Sequence, residues 1–124
     1  MIDHVGIEVT NYATSKLFYE KALKPLGYKL SMEAFGYAGF GSKGAGEAIA
    51  SFWLHQGNNP GSTVHIAFAA QDRATVDAFY EAAIQAGGID NGKPGIRGHY
   101  HPNYYGAFVL DPDGYNIEAV CHSA

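Results

Sequence analysis

Two histidines, His4 and His65, stand 61 residues apart, and the segments they open match each other. Sliding the chain by that distance lays residues 4–27 on residues 65–88 without a gap. Eight pairs are then identical: His4/His65, Ala13/Ala74, Thr14/Thr75, Phe18/Phe79, Tyr19/Tyr80, Glu20/Glu81, Ala22/Ala83 and Gly27/Gly88. Val5/Ile66, Ile7/Phe68 and Leu23/Ile84 are similar. A duplicated unit is the simplest account, and each copy begins with an imidazole. Two copies about a pseudo-twofold axis would bring both imidazoles toward one centre, the arrangement a divalent metal ion needs. The competing account is a pair of hydrogen-bonded structural histidines kept from the duplication. Neighbouring residues favour the metal. In 2–9 and 63–70 the face opposite each histidine is bulky (Val5, Ile7, Val9; Ile66, Phe68, Ala70), while the histidine face carries mostly small residues. Small neighbours leave a hollow; a histidine that merely fills a core sits among large ones.

A second cluster lies in Pro94-Gly-Ile-Arg-Gly-His-Tyr-His-Pro-Asn-Tyr-Tyr105. Arg97 can grip a carboxylate or phosphate with two parallel N–H groups. His101, ahead of His99, suits a general acid or base near neutral pH. Tyr104 or Tyr105 can donate a hydrogen bond to an oxygen gaining negative charge. The structural alternative is a tyrosine-rich loop packed over a cavity mouth, with Arg97 in an ion pair. Trp53 shares a strand face with Ser51, so it either lines a cavity and stacks on a flat ligand or fills the core.

These residues need elements to hold them. Residues 2–9 alternate with period two and predict a strand; Asn11 caps a helix over 12–25, closed by Pro25 and Gly27. Short strands follow at 28–33, 36–42 and 48–55, and 56–62 is the linker. The order then repeats: strand 63–70, helix 72–86, strand 88–91, a long loop 92–104, strand 105–110, an Asp-Pro-Asp-Gly turn at 111–114, and strand 115–122. The fold class predicted is α+β: two βαβββ modules, about 1–57 and 62–124, making one domain whose curved mixed sheets form half-barrels around a central cavity.

Composition narrows the partners. At 124 residues the chain can bury roughly two-thirds of its unfolded surface. A net charge of −4 argues against nucleic acid and anionic membranes, both of which need a basic patch. No apolar run approaches the roughly 20 residues of a membrane span, and the start lacks a signal-peptide pattern. With one cysteine, Cys121, no internal disulfide forms, so a reducing cytoplasm is the expected setting. The glycines form neither a phosphate loop nor a dinucleotide fingerprint.

The duplicated unit, its opening His4 and His65, and the closing Asp111-Pro-Asp-Gly-Tyr-Asn-Ile-Glu118 together resemble the vicinal oxygen chelate superfamily. That superfamily includes glyoxalase I, the bleomycin and fosfomycin resistance proteins and the extradiol dioxygenases. The resemblance implies a divalent metal held by His4, His65 and Glu118, with Fe, Mn, Zn or Ni all compatible with two imidazoles and a carboxylate. The strand phase agrees: Ile117, Ala119 and Cys121 make an apolar face and leave Glu118 on the other side. Glyoxalase I takes a fourth protein ligand, a carboxylate from module one. Here an offset of 67 residues sets Ser51 opposite Glu118 and His55 opposite His122, and serine is a poor ligand; Glu47 lies outside that register. The resemblance implies a small metal-dependent lyase, isomerase or dioxygenase. Its substrate would be small and oxygen-rich, anionic if Arg97 takes part, and a twofold homodimer is the family's habit. The alternative from another class is a protein that sequesters a drug or metabolite without turnover.

Overall fold

The computed structural model describes residues 2–42, 50–58 and 64–124. The predicted helices and strands are present in the predicted order. Module one runs β1 (Val5–Val9), α1 (Tyr12–Ala22), a single 3-10 turn (Lys24–Leu26), β2 (Tyr28–Ala34), β3 (Tyr37–Ser42) and β4 (Phe52–Gln56). Module two runs β5 (His65–Ala69), α2 (Arg73–Gln85), β6 (Ile89–Ile96), β7 (Tyr105–Leu110) and β8 (Asn116–Cys121). Each makes its own four-stranded sheet, ordered β1-β4-β3-β2 and β5-β8-β7-β6. In both, the opening strand pairs parallel with the closing strand, and the other ladders are antiparallel. Among the described residues no ladder joins the sheets, and neither closes into a barrel.

The duplication explains why the halves fold alike. Asn11 and Asp72 occupy the same place in the repeat, and each side chain accepts the backbone N–H of the threonine three residues on, Thr14 at 3.1 Å and Thr75 at 2.8 Å. The shared threonines are thus part of the two N-caps. Phe18/Phe79 and Ala22/Ala83 are fully buried and form the sheet-facing stripes of the helices. The aromatic core spans both modules: Phe52 meets Phe68 edge to face at 5.2 Å, and Tyr28 meets Phe68 at 5.3 Å.

The Asp-Pro-Asp-Gly turn does more than reverse the chain. Gly114, at φ +83°, supplies the left-handed residue the turn requires. Buried Asp111 accepts the backbone N–H groups of Asp113 and Tyr115, each at 2.9 Å, and the hydroxyl of Tyr19 on α1. Asp113 accepts from Thr10 at the end of β1, and the Tyr115 hydroxyl donates to the Glu8 carbonyl at 2.6 Å. The turn therefore ties module two to module one and sets the phase of β8, which carries Glu118. Burial raises the Asp111 carboxyl above its usual range and raises the Tyr19 phenol well above its own.

Some boundaries differ from expectation. β1 begins at Val5 rather than residue 2, which leaves His4 at its entrance. β6 continues to Ile96, through residues assigned to a loop; two register shifts against β7, around Gly92 at φ +149°, carry Pro94 without a broken ladder. Glu47, the start of the strand proposed over 48–55, and residues 59–62 of the linker lie outside the described residues. Among the described residues no helix is long and apolar enough to cross a membrane.

Candidate metal and ligand site

Strand alternation separates the two faces of each sheet. Ile7, Val9, Phe52 and Leu54 face the helices in module one, as Phe68, Ile117, Ala119 and Cys121 do in module two. The other face is open and carries the chemistry-bearing residues.

On the open face of the second sheet, Glu118 is 2% exposed yet polar. One of its oxygens, Oε2, accepts the Tyr104 hydroxyl. The other, Oε1, lies 3.3 Å from His65 Nε2. His65 Nδ1 lies 3.1 Å from the Asn116 carbonyl, and a carbonyl only accepts, so Nδ1 carries the hydrogen. In the neutral ring Nε2 then turns a lone pair toward a carboxylate oxygen. Two acceptors face each other, and only a second proton or a cation reconciles them. A spacing of 3.3 Å also suits two donors that share an ion at bond lengths of about 2.1 Å. Donor type, tautomer and spacing therefore fit a divalent metal. Gly106 makes room for the arrangement, since a Cβ there would stand 3.2 Å from both Glu118 Oε2 and the Tyr104 ring. Burial first, and the Glu118 carboxylate second, push the Tyr104 phenol far above its ordinary pKa, so Tyr104 remains a hydrogen donor.

His4 is not part of this contact. It is exposed, and its Nδ1 donates to Asp3 at 2.7 Å. In the neutral ring that bond leaves Nε2 with its lone pair, the same tautomer that Asn116 imposes on neutral His65. Among the described residues no third His, Cys, Asp or Glu joins the His65–Glu118 pair. His4 and His65 nevertheless line one cleft of about 460 Å³, which runs between the entrance of β1 and β5 and includes Ser51. A second recess, of about 300 Å³, lies on the open face of the first sheet against His4, Gly6, Tyr37, Trp53 and His55. His4 borders both.

The register expected between the modules is corrected. Gly6 pairs with Trp53 across β1 and β4, and Ala67 pairs with Glu118 across β5 and β8. The counterpart of Glu118 is therefore Trp53 rather than Ser51; Ser51 answers to Asn116. Buried Phe52 and Leu54 correspond to Ile117 and Ala119, so core packing, not the match of His55 with His122, sets the alignment.

The tyrosine-rich cluster divides. Tyr105 is not at the site: its hydroxyl donates to Asp77 on α2 at 2.7 Å, and the Arg73 guanidinium covers its ring at 5.2 Å. It shares the helix-facing phase of buried Ala107 and Val109, whereas Tyr104 takes the opposite phase. Tyr104 is spent on Glu118 rather than left free for a ligand oxygen. His101 accepts from the Asn103 N–H at 3.1 Å and passes its Nε2–H to His122 Nδ1 at 2.6 Å. It packs edge-on against the Tyr104 ring at 5.5 Å and so stands one residue removed from Glu118. Arg97 lies over the Phe108 ring at 5.4 Å, and His65 stacks on Phe108 at 6.3 Å, so cation, ring and imidazole share the open face. Its guanidinium spends one N–H on each of the Gly95 and Lys93 carbonyls, at 2.9 and 2.7 Å, and makes no ion pair among the described residues. Sequence reasoning missed Asn116, Phe108, Tyr37 and the placement of His55. Asn116 was within reach, because it shares the strand phase of Glu118.

Two four-stranded sheets built from repeated βαβββ units, with a buried carboxylate beside an exposed imidazole on one open face, define a class. The model of the Glyoxalase/Bleomycin resistance protein/Dioxygenase superfamily matches residues 1–119, and this chain belongs to that superfamily. A glyoxalase/bleomycin resistance protein from Albidiferax ferrireducens T118 is 28% identical, with a TM-score of 0.80 over 96% of each chain. A glyoxalase/bleomycin resistance protein/dioxygenase family enzyme from Burkholderia phytofirmans PsJN has the same fold at 17% identity, with a TM-score of 0.74 over 98% of each chain. A V278E mutant of glyoxalase I from Zea mays matches 96% of this chain with 43% of its own, at 22% identity and a TM-score of 0.70. No protein of curated function matches this chain.

Proposed function

We propose that this protein is a small divalent-metal-dependent enzyme of its superfamily, of the lyase, isomerase or dioxygenase type, acting on an oxygen-rich substrate. The observation that carries the reading is the pair of acceptors, His65 Nε2 and Glu118 Oε1, held 3.3 Å apart with the tautomer set by Asn116. His4 is the third ligand in this proposal. Its Nδ1–H is held by the Asp3 carboxylate and its Nε2 is available beside the cleft it shares with His65, an outer-shell device common to metal-binding histidines. When bound, the ion would act as a Lewis acid toward adjacent substrate oxygens.

The chain's own residues supply the rest. Tyr104 orients Glu118 and keeps its second oxygen from rotating. Arg97, with three N–H groups to spare, receives an anionic group across Phe108. His101, backed by His122, exchanges protons with solvent at the rim. Exposed Met32, fully exposed Phe35, Ile89 and Ile96 offer apolar surface for a second copy, and a homodimer is part of the proposal.

Metal analysis of protein purified without chelator tests the reading. One ion per chain is expected, lost in His65→Ala and Glu118→Ala and weakened in His4→Ala. Absence of any stoichiometric ion after loading with Fe, Mn, Zn or Ni would overturn it. A second reading, ligand sequestration without turnover, is favoured by one observation: Trp53 occupies the place in module one that a carboxylate holds in module two.

A further inference from the structure

The recess on the first sheet is built around a single side chain. Trp53 is flanked by glycine on both sides of the ladder, Gly6 on β1 and Gly39 on β3. A Cβ on Gly39 would stand 2.7 Å from the Ala50 Cβ and 2.9 Å from two carbons of the indole six-membered ring, so glycine makes room for both as the ring lies down across the sheet. The indole N–H donates to the Ala50 carbonyl at 3.2 Å, which fixes the ring's direction. Beside it Tyr37 and His55, paired across β3 and β4, stack at 5.8 Å with their planes 26° apart. The result is a pre-set aromatic wall rather than a filled core, and Trp53 remains only half-buried. Its volume of about 300 Å³ falls at the small end of small-molecule sites. Among the described residues the polar side chains of its lining are the imidazoles of His4 and His55 and the Tyr37 hydroxyl, besides the indole N–H already engaged by Ala50.

We propose that this recess seats a planar aromatic ring bearing oxygen substituents, stacked on Trp53 with those oxygens toward His4. The ring's flat face matches the fixed indole, and stacked or edge-on pairs gain beyond their buried area. The rim imidazoles supply directional hydrogen bonds to phenolic or carboxylate oxygens. His4 borders both this recess and the cleft of His65, so substituents on the ring point toward His4, one of the proposed metal ligands. The inference names the substrate class for the proposed function, and it rests on that reading only in treating the two hollows as parts of one site.

Trp53 is the single tryptophan of the chain, so its fluorescence reports on this recess alone. The probes are benzoate, salicylate and 4-hydroxybenzoate, with cyclohexanecarboxylate as the saturated control, titrated into chelator-treated protein. Saturable quenching by the planar acids and none by the saturated acid is expected. By calorimetry, Trp53→Leu should weaken salicylate binding roughly tenfold or more, and Tyr37→Ala several-fold. Gly39→Ala, which crowds both the indole and Ala50, should weaken it as well. Bound metal in the loaded protein should be unchanged in Tyr37→Ala, whose side chain is exposed. Equal responses to planar and saturated acids, or no saturable response to any of them, would overturn the proposal. So would fluorescence that tracks protein concentration rather than ligand, because the recess would then be a contact between copies. Because the titration is done without metal, its failure leaves the metal reading standing, and a protein that binds the ring but no metal sinks that reading alone.

Discussion

Removing the Tyr104 hydroxyl tests whether Glu118 is a buried carboxylate held in waiting. In Tyr104→Phe the ring still packs against His101 and His122, but Glu118 Oε2 loses the donor it has inside the protein. Glu118 is 2% exposed, so water does not readily replace that donor. Hydrogen bonds to charged groups contribute about 1.5–3 kcal/mol, and a buried acceptor left unsatisfied costs a similar amount. A chain of this length has an unfolding entropy of roughly 0.26 kcal/mol per kelvin near its midpoint, so the loss corresponds to about 6–12 °C in Tm. The assay is thermal unfolding by circular dichroism after chelation, with Tyr100→Phe, on the exposed loop, as the control. If Glu118 also holds a metal, saturating Zn or Mn should restore part of the deficit, because an ion that binds only the folded state raises its stability. Metal affinity in the variant should fall about 10–100-fold, the usual cost of losing an outer-shell partner. A chelated variant within about 2 °C of wild type would refute the reasoning, since it would mean that Glu118 is satisfied without Tyr104.

The remaining predictions concern the frame and the rim. Burial raises the folded-state pKa of Asp111, so its contribution to stability is fully present below the unfolded carboxyl pKa of about 3.9 and is lost as pH rises through the folded value. Wild type should therefore lose stability relative to Asp111→Asn as pH rises above about 4, and urea midpoints that stay parallel as pH rises would contradict it. Asn11→Ala removes the cap on α1 and should cost about 1 kcal/mol, read from urea unfolding, while the open face and its metal content stay intact. Arg97→Ala should weaken binding of small anionic ligands roughly 10–100-fold with metal retained, and unchanged calorimetric affinity would remove Arg97 from the site.

Features carried along a single segment are legible in the amino-acid sequence. The alternation in 2–9 and 63–70 sorts small from bulky faces, and both histidines lie on the open side with the small residues. Asn11 announces the cap it makes, and the phase of Ile117, Ala119 and Cys121 puts Glu118 opposite the helices. The 61-residue repeat predicts two modules of like topology, because the same caps and core stripes nucleate the same units.

Features that depend on which strand meets which are not legible there. Ser51 looks like the counterpart of Glu118 because counting residues cannot weigh the buried Phe52 and Leu54 against Ile117 and Ala119; the strand register within each module assigns that place to Trp53. Tyr104 and Tyr105 are adjacent and chemically alike, and one step of strand phase sends the first to Glu118 and the second to Asp77 on α2. His101 and His122 meet although 21 residues separate them, and Pro94 sits inside β6 because bulges against β7 absorb it. Alternation and capping are local, so the sequence alone determines them. Register and the meeting of distant side chains are decided by the packing free energy of the whole fold, which exists only once both sheets and both helices have assembled.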